Sequence, residues 1–319
     1  MKYDVGLIGP LNVDLLITGQ APTDISALTF WAGPSNVILC AAGSAGYIAQ
    51  NLAKFGLQTS LVSTLAEDPF GDAILRILDE AGLNTGFVDR QADTLTGIGI
   101  YMLLFGSKKR PLTYRLPTHQ PWPNPITKKQ CEFLLASHRH IHCAGYLHFP
   151  YMWNDQMADL FRDAKAAGLT TSLDPQFVLF PIETPWLEPL RGILKYTDML
   201  LLDEDEARKI TLETDLGRAV EVLHSLGPRV IAIKRGENGS ILSSKEKLYA
   251  LPAVSVPEER IVDSIGAGDA FDTGMIYGFL RGWPSDQCQK FATRAAASTL
   301  LGAGGTSTLA GVEELFHTI

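Results

Sequence analysis

Short apolar runs alternate with longer amphipathic segments along most of this chain. The runs of strand length are at residues 5–9, 59–63, 140–144, 170–173, 199–202 and 230–234. Apolar residues spaced three and four apart predict helices at 45–55, 69–81, 153–167, 216–226, 268–281 and 285–301. Strands that alternate with helices of this length predict a mostly parallel sheet covered by helices on both faces.

Two stretches, residues 12–40 and roughly 95–117, interrupt this alternation. They contain strand-like pieces with no helix between them, and residues 96–103 (TGIGIYML) are the clearest example. We expect these pieces to form a small antiparallel sheet that projects from the main body as a lid. Because no Ser/Gly-rich linker or repeat separates the parts, the sequence predicts one domain over residues 1–319 with the lid inserted in it.

Composition and charge exclude several classes of protein. With 46% hydrophobic and 19% charged residues, the 319-residue chain can fill a large core. Its formal net charge of −8 argues against nucleic acid or an anionic membrane as the main partner, because both require a basic surface. The chain has no run of roughly 18 apolar residues and no apolar leader after Met1, so we expect a cytoplasmic protein.

The cysteines and histidines give weak signals. No Cys-x-x-Cys pair occurs, which favours free thiols over a zinc or redox site. The alternating positions of His138, His140 and His142 put three imidazoles on one face of a strand, and His148 follows soon after. Since no acidic or thiol cluster completes a metal site, we expect a polar face at the edge of the sheet.

The segment that says most about function is residues 261–271 (IVDSIGAGDAF). An apolar run, which we interpret as the end of a strand, leads through a Gly-Ala-Gly turn into a long helix. Glycines allow backbone amides to approach an anion closely, and the helix N-terminus adds a partial positive charge. Asp269 falls in the first helical turn, where it could accept a proton from a hydroxyl that attacks a bound phosphate. An Asp that merely caps an ordinary helix is the alternative.

Residues 263–269 (DSIGAGD) resemble the DTxGAGD signature of the ribokinase-like carbohydrate kinases, the PfkB family, with Ser in place of Thr. Five further segments resemble family motifs in the same order, over nearly the whole chain. They are residues 9–14 (GPLNVD), 43–56, 68–71 (DPFG), 174–176 (DPQ) and 233–239 (IKRGENG). The resemblance implies an α/β, three-layer ribokinase-like fold: a mostly parallel sheet flanked by helices, with a small β-sheet lid.

The resemblance also implies ATP-dependent phosphoryl transfer to a hydroxyl of a sugar or related polyol. Asp269 would be the general base, and the backbone amides of Gly266, Ala267 and Gly268 would form the anion hole for the transferred group.

The resemblance places the nucleotide against the loop that contains Lys234, Gly236 and Gly239. From the residues alone, an ordinary hairpin turn between two strands explains this loop equally well.

On the acceptor side, Asn12 and Asp14 resemble the family's sugar-binding Asn-x-Asp, although such a pair is also common in turns. Gly43 opens the family's first Gly-rich signature. The signature's Asn is replaced by Tyr47, so we expect a less polar acceptor or one held by stacking. Arg115, on the predicted lid, is a candidate for binding an acceptor carboxylate or phosphate, and an exposed lid arginine is the alternative.

Two candidate ion sites follow from the resemblance. The family's N-x-x-E element, which organises Mg²⁺ through water, reads DEDE here, so Asp203 and Glu206 are the candidates. An acidic helix start would give the same pattern. Asp263 and the later loop at 302–307 (GAGGTS) are the candidates for a K⁺ site, although Gly-rich loops commonly follow helices without any ion.

Two other functions stay open at this point: a nucleoside kinase of the same fold, and a catalytically silent sugar-binding sensor. A homodimer through the lid is a further hypothesis, with Phe30, Trp31, Ile38 and Met102 as its apolar face, and a buried core within the lid explains these residues equally well.

Overall fold

A computed structural model describes residues 3–31, 33, 35–104, 112–116, 126–148, 150–153, 155–178, 185–244 and 247–317. The strands are β1 (Tyr3–Ile8), β2 (Asn12–Gly19), β3 (Ser35–Ala42), β4 (Thr59–Ala66), β5 (Asn84–Gln91), β6 (Ile98–Met102), β7 (Leu112–Leu116), β8 (His138–Ala144), β9 (Thr170–Asp174), β10 (Met199–Asp203), β11 (Val230–Lys234), β12 (Ser240–Ser244) and β13 (Lys247–Leu251). The helices are α1 (Ser44–Lys54), α2 (Pro69–Glu80), α3 (Lys128–Ser137), α4 (Asp155–Ala166), α5 (Arg191–Leu194), α6 (Glu204–Thr211), α7 (Leu216–Ser225), α8 (Ala267–Leu280), α9 (Ser285–Thr299) and α10 (Val312–His317).

The main sheet has the strand order β13-β12-β11-β10-β9-β8-β1-β4-β5. All pairs from β11 to β5 are parallel, and β12 and β13 extend the sheet as antiparallel strands. The mostly parallel sheet predicted from the sequence is therefore confirmed. Parallel strands bring their carboxyl ends to one edge, which is where such sheets bind ligands.

Apolar side chains pack on both faces of this sheet, which makes the structure three-layered. In β10, Leu201 belongs to one core with α1, α2, α8, α9 and α10, while Leu200 and Leu202 belong to a second core with α3 to α7. All three leucines are fully buried, and each contributes about 1.5–3 kcal/mol relative to an exposed side chain. Within the described ranges, no helix is long and apolar enough to span a membrane.

The lid is a separate sheet with the order β3-β2-β6-β7. We expected it to be antiparallel, but β2 and β6 pair in parallel, so it is mixed. The reason is topological: β2 follows β1 and β6 follows β5, and both leave the main sheet at the carboxyl edge in the same direction. Asp68 caps α2 and accepts hydrogen bonds from the backbone and hydroxyl of Thr96 at 2.8 Å, which anchors the entry to β6.

The histidines of β8 are not at the edge of the sheet, as we expected, but in its interior between β1 and β9. His138, His140 and His142 are fully buried. Their ring nitrogens form hydrogen bonds with serine hydroxyls. Ser60 Oγ lies 2.6 Å from His138 Nε2, and Ser172 Oγ lies 2.7 Å from His140 Nε2 and 2.6 Å from His142 Nδ1. Burial lowers the pKa of His140 to about 3 and that of His142 to about 4, so both are neutral.

Residues 261–266 form an irregular segment before α8 and not the strand end that the apolar run predicted. Instead of pairing with a strand, the Val262 amide donates to the Leu300 carbonyl at 2.8 Å. The end of α9 thus supplies the acceptor that a neighbouring strand would have provided. The four cysteines, all within the described ranges, are free thiols, as expected.

Candidate active site

A cleft of about 920 Å³ lies at the carboxyl ends of β9, β10 and β11, against the N-terminus of α8. Its floor is polar and carries Asp174, Asp203, Glu206, Lys234 and Asp269. An apolar wall is formed by Ala253, Val254, Val256, Ile261, Phe271, Ala296, Ala297 and Leu300. The cleft therefore suits a ligand with one flat apolar part and one strongly charged part.

The Gly-Ala-Gly turn shapes the charged end of the cleft. Gly266 has a φ of +75°, and a Cβ there would lie 2.5 Å from the Gly305 Cα, so this position requires glycine. Gly268 differs, because a Cβ there would meet nothing closer than the Lys234 side chain at 3.9 Å. The amide of Ala267 donates to the Ser264 carbonyl at 3.3 Å. The turn thus leaves open space beside Gly268, where the first amides of α8 lack intrahelical acceptors.

Asp269 lies in the first turn of α8 and lines this space. Burial raises the pKa of its carboxyl to about 7, although the nearby ammonium of Lys234 opposes the rise. Ser44, the first residue of α1, hydrogen bonds to Asp269 and accepts a hydrogen bond from Gln176 Nε2. These hydrogen bonds hold Asp269 in place. With a pKa of about 7, its carboxyl is close to half-ionised at neutral pH.

Lys234 ends β11 and extends its side chain to the same place. Its Nζ lies 3.1 Å from Asp174 Oδ2 and 3.0 Å from Asp272 Oδ2. Burial alone would lower the pKa of Lys234, but the carboxylates of Asp174 and Asp272 hold it well above its usual value. The side chain of Lys234 is therefore at the charged end of the cleft and keeps its proton.

The loop after Lys234 is a hairpin turn between two antiparallel strands, which is one of the two interpretations that its sequence allowed. Gly236 and Gly239 connect the antiparallel strands β11 and β12, and both also line the cleft. Gly239 has a φ of +84°, and a Cβ there would lie 2.0 Å from the Leu251 carbonyl oxygen. The hairpin and the nucleotide-side interpretations are therefore compatible at this loop.

Asp203 and Glu206 form a reciprocal cap at the start of α6. The Asp203 carboxylate accepts from the Glu206 amide, and the Glu206 carboxylate accepts from the Asp203 amide, both at 2.8 Å. Both side chains also line the cleft. Burial raises the pKa of Glu206 to about 8. The described ranges contain no group of three or more His, Cys, Asp or Glu side chains that could coordinate a metal directly, so two carboxylates suit a hydrated Mg²⁺ better than a stripped ion.

The acceptor-side candidates Asn12, Asp14, Gly43 and Tyr47 lie together next to the cleft. Asp14 is buried and accepts from Asn12 Nδ2 at 2.8 Å and from the Tyr47 hydroxyl at 2.7 Å. Gly43 has a φ of +79°, and a Cβ there would lie 2.3 Å from the Pro10 carbonyl oxygen. Tyr47 is only 3% exposed and offers no open ring face, so an acceptor cannot stack on it as we expected.

Asp263 connects the turn before α8 to the Gly-rich loop at 302–307. Its carboxylate accepts from the Ile265 amide at 2.9 Å and from the Gly304 amide at 3.0 Å. Asn51 and Lys54 of α1 donate to the Gly305 and Thr306 carbonyls of the same loop. These contacts fix the backbone around Gly266.

Arg115 lies on β7 opposite Gly99, and its side chain is outside the described part of the structure.

Comparison with known proteins identifies the family. The family model "pfkB family carbohydrate kinase" matches residues 32–310, which is most of the chain. The chain belongs to this family. The fold and the kinase class implied by the six motifs are thereby confirmed.

This carbohydrate kinase resembles relatives with different acceptors. It is 26% identical to a 2-dehydro-3-deoxygluconokinase of Bacillus subtilis over 251 residues, covering 76% of the chain and 74% of that protein. It is 34% identical to a cytidine kinase of Thermococcus kodakarensis over 111 residues, which is 35% of the chain and 40% of that protein. A putative ribokinase II of Escherichia coli, solved in complex with ATP and Mg²⁺, has the same fold, with a TM-score of 0.78 at 20% identity, covering 98% of each chain.

Four residues of the kinase site were missed by sequence reasoning: Ser44, Asp174, Gln176 and Asp272. Ser44 and Gln176 lie inside segments that resemble family motifs, but nothing in the spacing indicates that their side chains meet at Asp269. Asp272 lies three residues after Asp269 on a mostly apolar helix. Because acidic residues are rarely buried on such a helix, its presence there could have indicated a functional role.

Proposed function

We propose that this kinase transfers the γ-phosphoryl group of ATP to a hydroxyl of a sugar or related polyol. One observation carries the proposal. A carboxyl group with a pKa of about 7 lies in the first turn of α8, beside the open space at Gly268 and at the charged end of a cleft with one apolar wall. A proton acceptor next to an anion site is the combination that phosphoryl transfer to an alcohol requires.

The shape of the cleft supports one orientation of ATP. The apolar wall formed by the 253–256 loop and by α9 suits the adenine ring, and the hairpin glycines Gly236 and Gly239 leave room for the ribose. The triphosphate then extends toward Gly268 and Lys234. The E. coli neighbour, which was solved with ATP and Mg²⁺, supports ATP as the ligand of this cleft.

Asp203 and Glu206 would hold Mg²⁺ through water, since both carboxylates line the floor of the cleft. When bound, Mg²⁺ would offset the negative charge of the phosphates.

The reaction proceeds in line. The acceptor oxygen forms a bond to the γ-phosphorus, its proton passes to Asp269, and the bond from phosphorus to the bridging oxygen breaks to release ADP. The hydrogen bond from Ser44 orients the Asp269 carboxylate toward the acceptor. The backbone amide of Gly268 stabilises the charge on the transferred group, whereas the Ala267 amide, which we expected to do the same, donates to the Ser264 carbonyl.

A nucleoside acceptor is the second candidate, because the cytidine kinase is 34% identical over the segment that it shares with this chain. The intact base and the open anion site argue against a silent sensor, which would need neither.

An ADP-release screen tests the proposal, with pentoses, hexoses, keto-acids, inositols and nucleosides as acceptors. We expect turnover with one class, and its loss in Asp269→Asn with acceptor binding retained. If the wild type turns over no acceptor, the proposal is wrong and the sensor is favoured. If Asp269→Asn keeps most of the activity, Asp269 is not the base.

A further inference from the structure

Lys234 occupies a position that neither a hairpin turn nor contact with a nucleoside explains. Its side chain leaves the end of β11, is 16% exposed, and lines the cleft. The two carboxylates that hold it, those of Asp174 and Asp272, have side chains that are 2% and 0% exposed. An ammonium clamped by two buried carboxylates and open only toward the cleft is directed at whatever binds there.

The ammonium faces the same space as the first turn of α8. The nearest atoms to a Cβ built on Gly268 are Lys234 Cδ and Nζ, both at 3.9 Å. An ammonium has three N–H donors, of which two serve Asp174 and Asp272, so a third is available to a ligand beside Gly268. The backbone of Gly268 and the ammonium of Lys234 thus border one ligand-sized space.

The charges around this space require a cation. Asp174, Glu206 and Asp269 line the same end of the cleft as Lys234. The neighbouring cation that also lines the cleft, Arg235, is bound by Glu204 at 3.0 Å. A phosphate that enters here would be repelled by Asp174 and by the ionised form of Asp269, and Lys234 is the side chain placed to offset that repulsion.

We propose that Lys234 is a catalytic residue whose ammonium donates a hydrogen bond to the γ-phosphoryl group during transfer, and that Asp272 is the residue that positions it. This inference rests on the proposed function. The acceptor oxygen bonds to the γ-phosphorus, its proton goes to Asp269, and the bridging P–O bond breaks with its electron pair leaving on ADP. Lys234 keeps its own proton throughout and stabilises the charge that develops on the transferred oxygens.

Asp272 holds Lys234 from α8, the helix that also carries Asp269. Asp272 is fully buried, and its Oδ2 accepts a hydrogen bond from Lys234 Nζ at 3.0 Å. The Asp272 side chain also hydrogen bonds to Asp174, the other acid that holds this ammonium, so the contacts that offset its burial belong to the group around Lys234. Helix α8 thereby carries both the proton acceptor, Asp269, and, three residues later, Asp272, whose carboxyl holds the Lys234 ammonium. The rival explanation is that Lys234 only neutralises two buried acids.

A pair of variants separates these explanations. Lys234→Met leaves Asp174 and Asp272 without their cation and should lower the melting temperature, because a buried charge loses its partner. Lys234→Met/Asp272→Asn removes one of the two acids as well, and the amide introduced on α8 can donate to Asp174. We expect the double variant to recover most of the melting temperature while kcat stays about 100-fold or more below the wild type. Recovery of kcat to within about threefold would show a structural role only and overturn the inference.

Asp272 is tested by replacement with Asn and with Leu. Asp272→Asn still offers an oxygen to Lys234 and should retain kcat within about threefold, whereas Asp272→Leu should lower kcat about tenfold or more with little change in KM for ATP. Equal kcat in the two variants would contradict a positioning role. Lys195→Met, at an exposed lysine, is the matched control and should match the wild type.

A measurement on the unmutated protein covers the case in which the variants do not fold. Bound ATP should protect Lys234 from reductive methylation, read by mass spectrometry, and should leave Lys195 unprotected. Equal labelling of Lys234 with and without ATP overturns the inference. Because the wild type is assayed alongside, absence of turnover there overturns the proposed function, whereas wild-type turnover with an active double variant overturns this inference alone.

Discussion

Replacing Asp269 with Asn should stabilise the folded protein at neutral pH while it abolishes turnover. Burial raises the pKa of this carboxyl from 3.8 to about 7. The folded state therefore holds a proton that the unfolded chain releases between these two values. Ionisation thus favours the unfolded chain, and the native carboxyl costs stability wherever the pH exceeds 3.8.

The size of the effect follows from the shift of about three pKa units. At 1.36 kcal/mol per unit, the upper limit is about 4 kcal/mol, and we expect about 1–4 kcal/mol because cleft water reaches the half-buried side chain. The size of the difference depends on pH, but its sign does not. Near pH 4 both states bind the proton and the two proteins should differ little. Between about pH 4 and 7 the wild type loses free energy of unfolding relative to Asp269→Asn, and above about pH 7 the difference is constant.

Urea unfolding of the wild type and Asp269→Asn at a series of pH values between about 4.5 and 8 measures this difference. Asp93→Asn is the control, because Asp93 lies exposed in a turn, and its stability should follow the wild type at every pH. The reasoning is refuted if Asp269→Asn is no more stable than the wild type at pH 8. It is also refuted if the difference between them does not grow with pH.

Three further predictions concern the anion hole and the ions. Gly268→Val should fold normally, because its Cβ meets only Lys234 at 3.9 Å, yet lose about 100-fold in kcat; near-normal turnover would remove Gly268 from the phosphate site. Asp203→Ala and Glu206→Ala should each change the Mg²⁺ dependence of the rate without abolishing ATP binding, and an unchanged Mg²⁺ titration would leave these residues as a helix cap only. K⁺ should raise kcat by ordering the turn that Asp263 holds, so equal rates in K⁺, Na⁺ and a bulky organic cation at matched ionic strength would contradict a cation site.

The central strands and helices could be predicted because their burial is continuous or strictly periodic. Strand β5 reads NTGFVDRQ and lies at the edge of the sheet, half-buried, so it lacks the apolar run of an inner strand. Helix α3 reads KKQCEFLLAS and buries only Gln130 and Leu134, too few positions to set a helical period. Both elements were therefore missed.

The site residues show the same contrast between features that have a local sequence pattern and features that do not. The Gly-Ala-Gly turn and Asp269 lie within one short segment, so spacing alone predicted that they act together. The contacts of Lys234 with Asp174 and Asp272 join β11, β9 and α8, which are far apart in sequence. The buried ring of Tyr47 depends in the same way on Asp14, 33 residues earlier. Such contacts arise from packing and leave no local pattern.

Helix α1 contacts the proposed acceptor side at one end and the proposed phosphate turn at the other. Ser44 and Tyr47 touch Asp269 and Asp14, whereas Asn51 and Lys54 hold the loop against which Gly266 packs. Because a helix is stiff along its axis, a shift at its first turn is passed on to its last. The proposed function therefore links acceptor specificity to phosphate positioning through α1, and we expect substitutions in the two regions to combine non-additively. A new acceptor pocket built at Tyr47 would need compensating changes some two turns away, beside the Gly-rich loop.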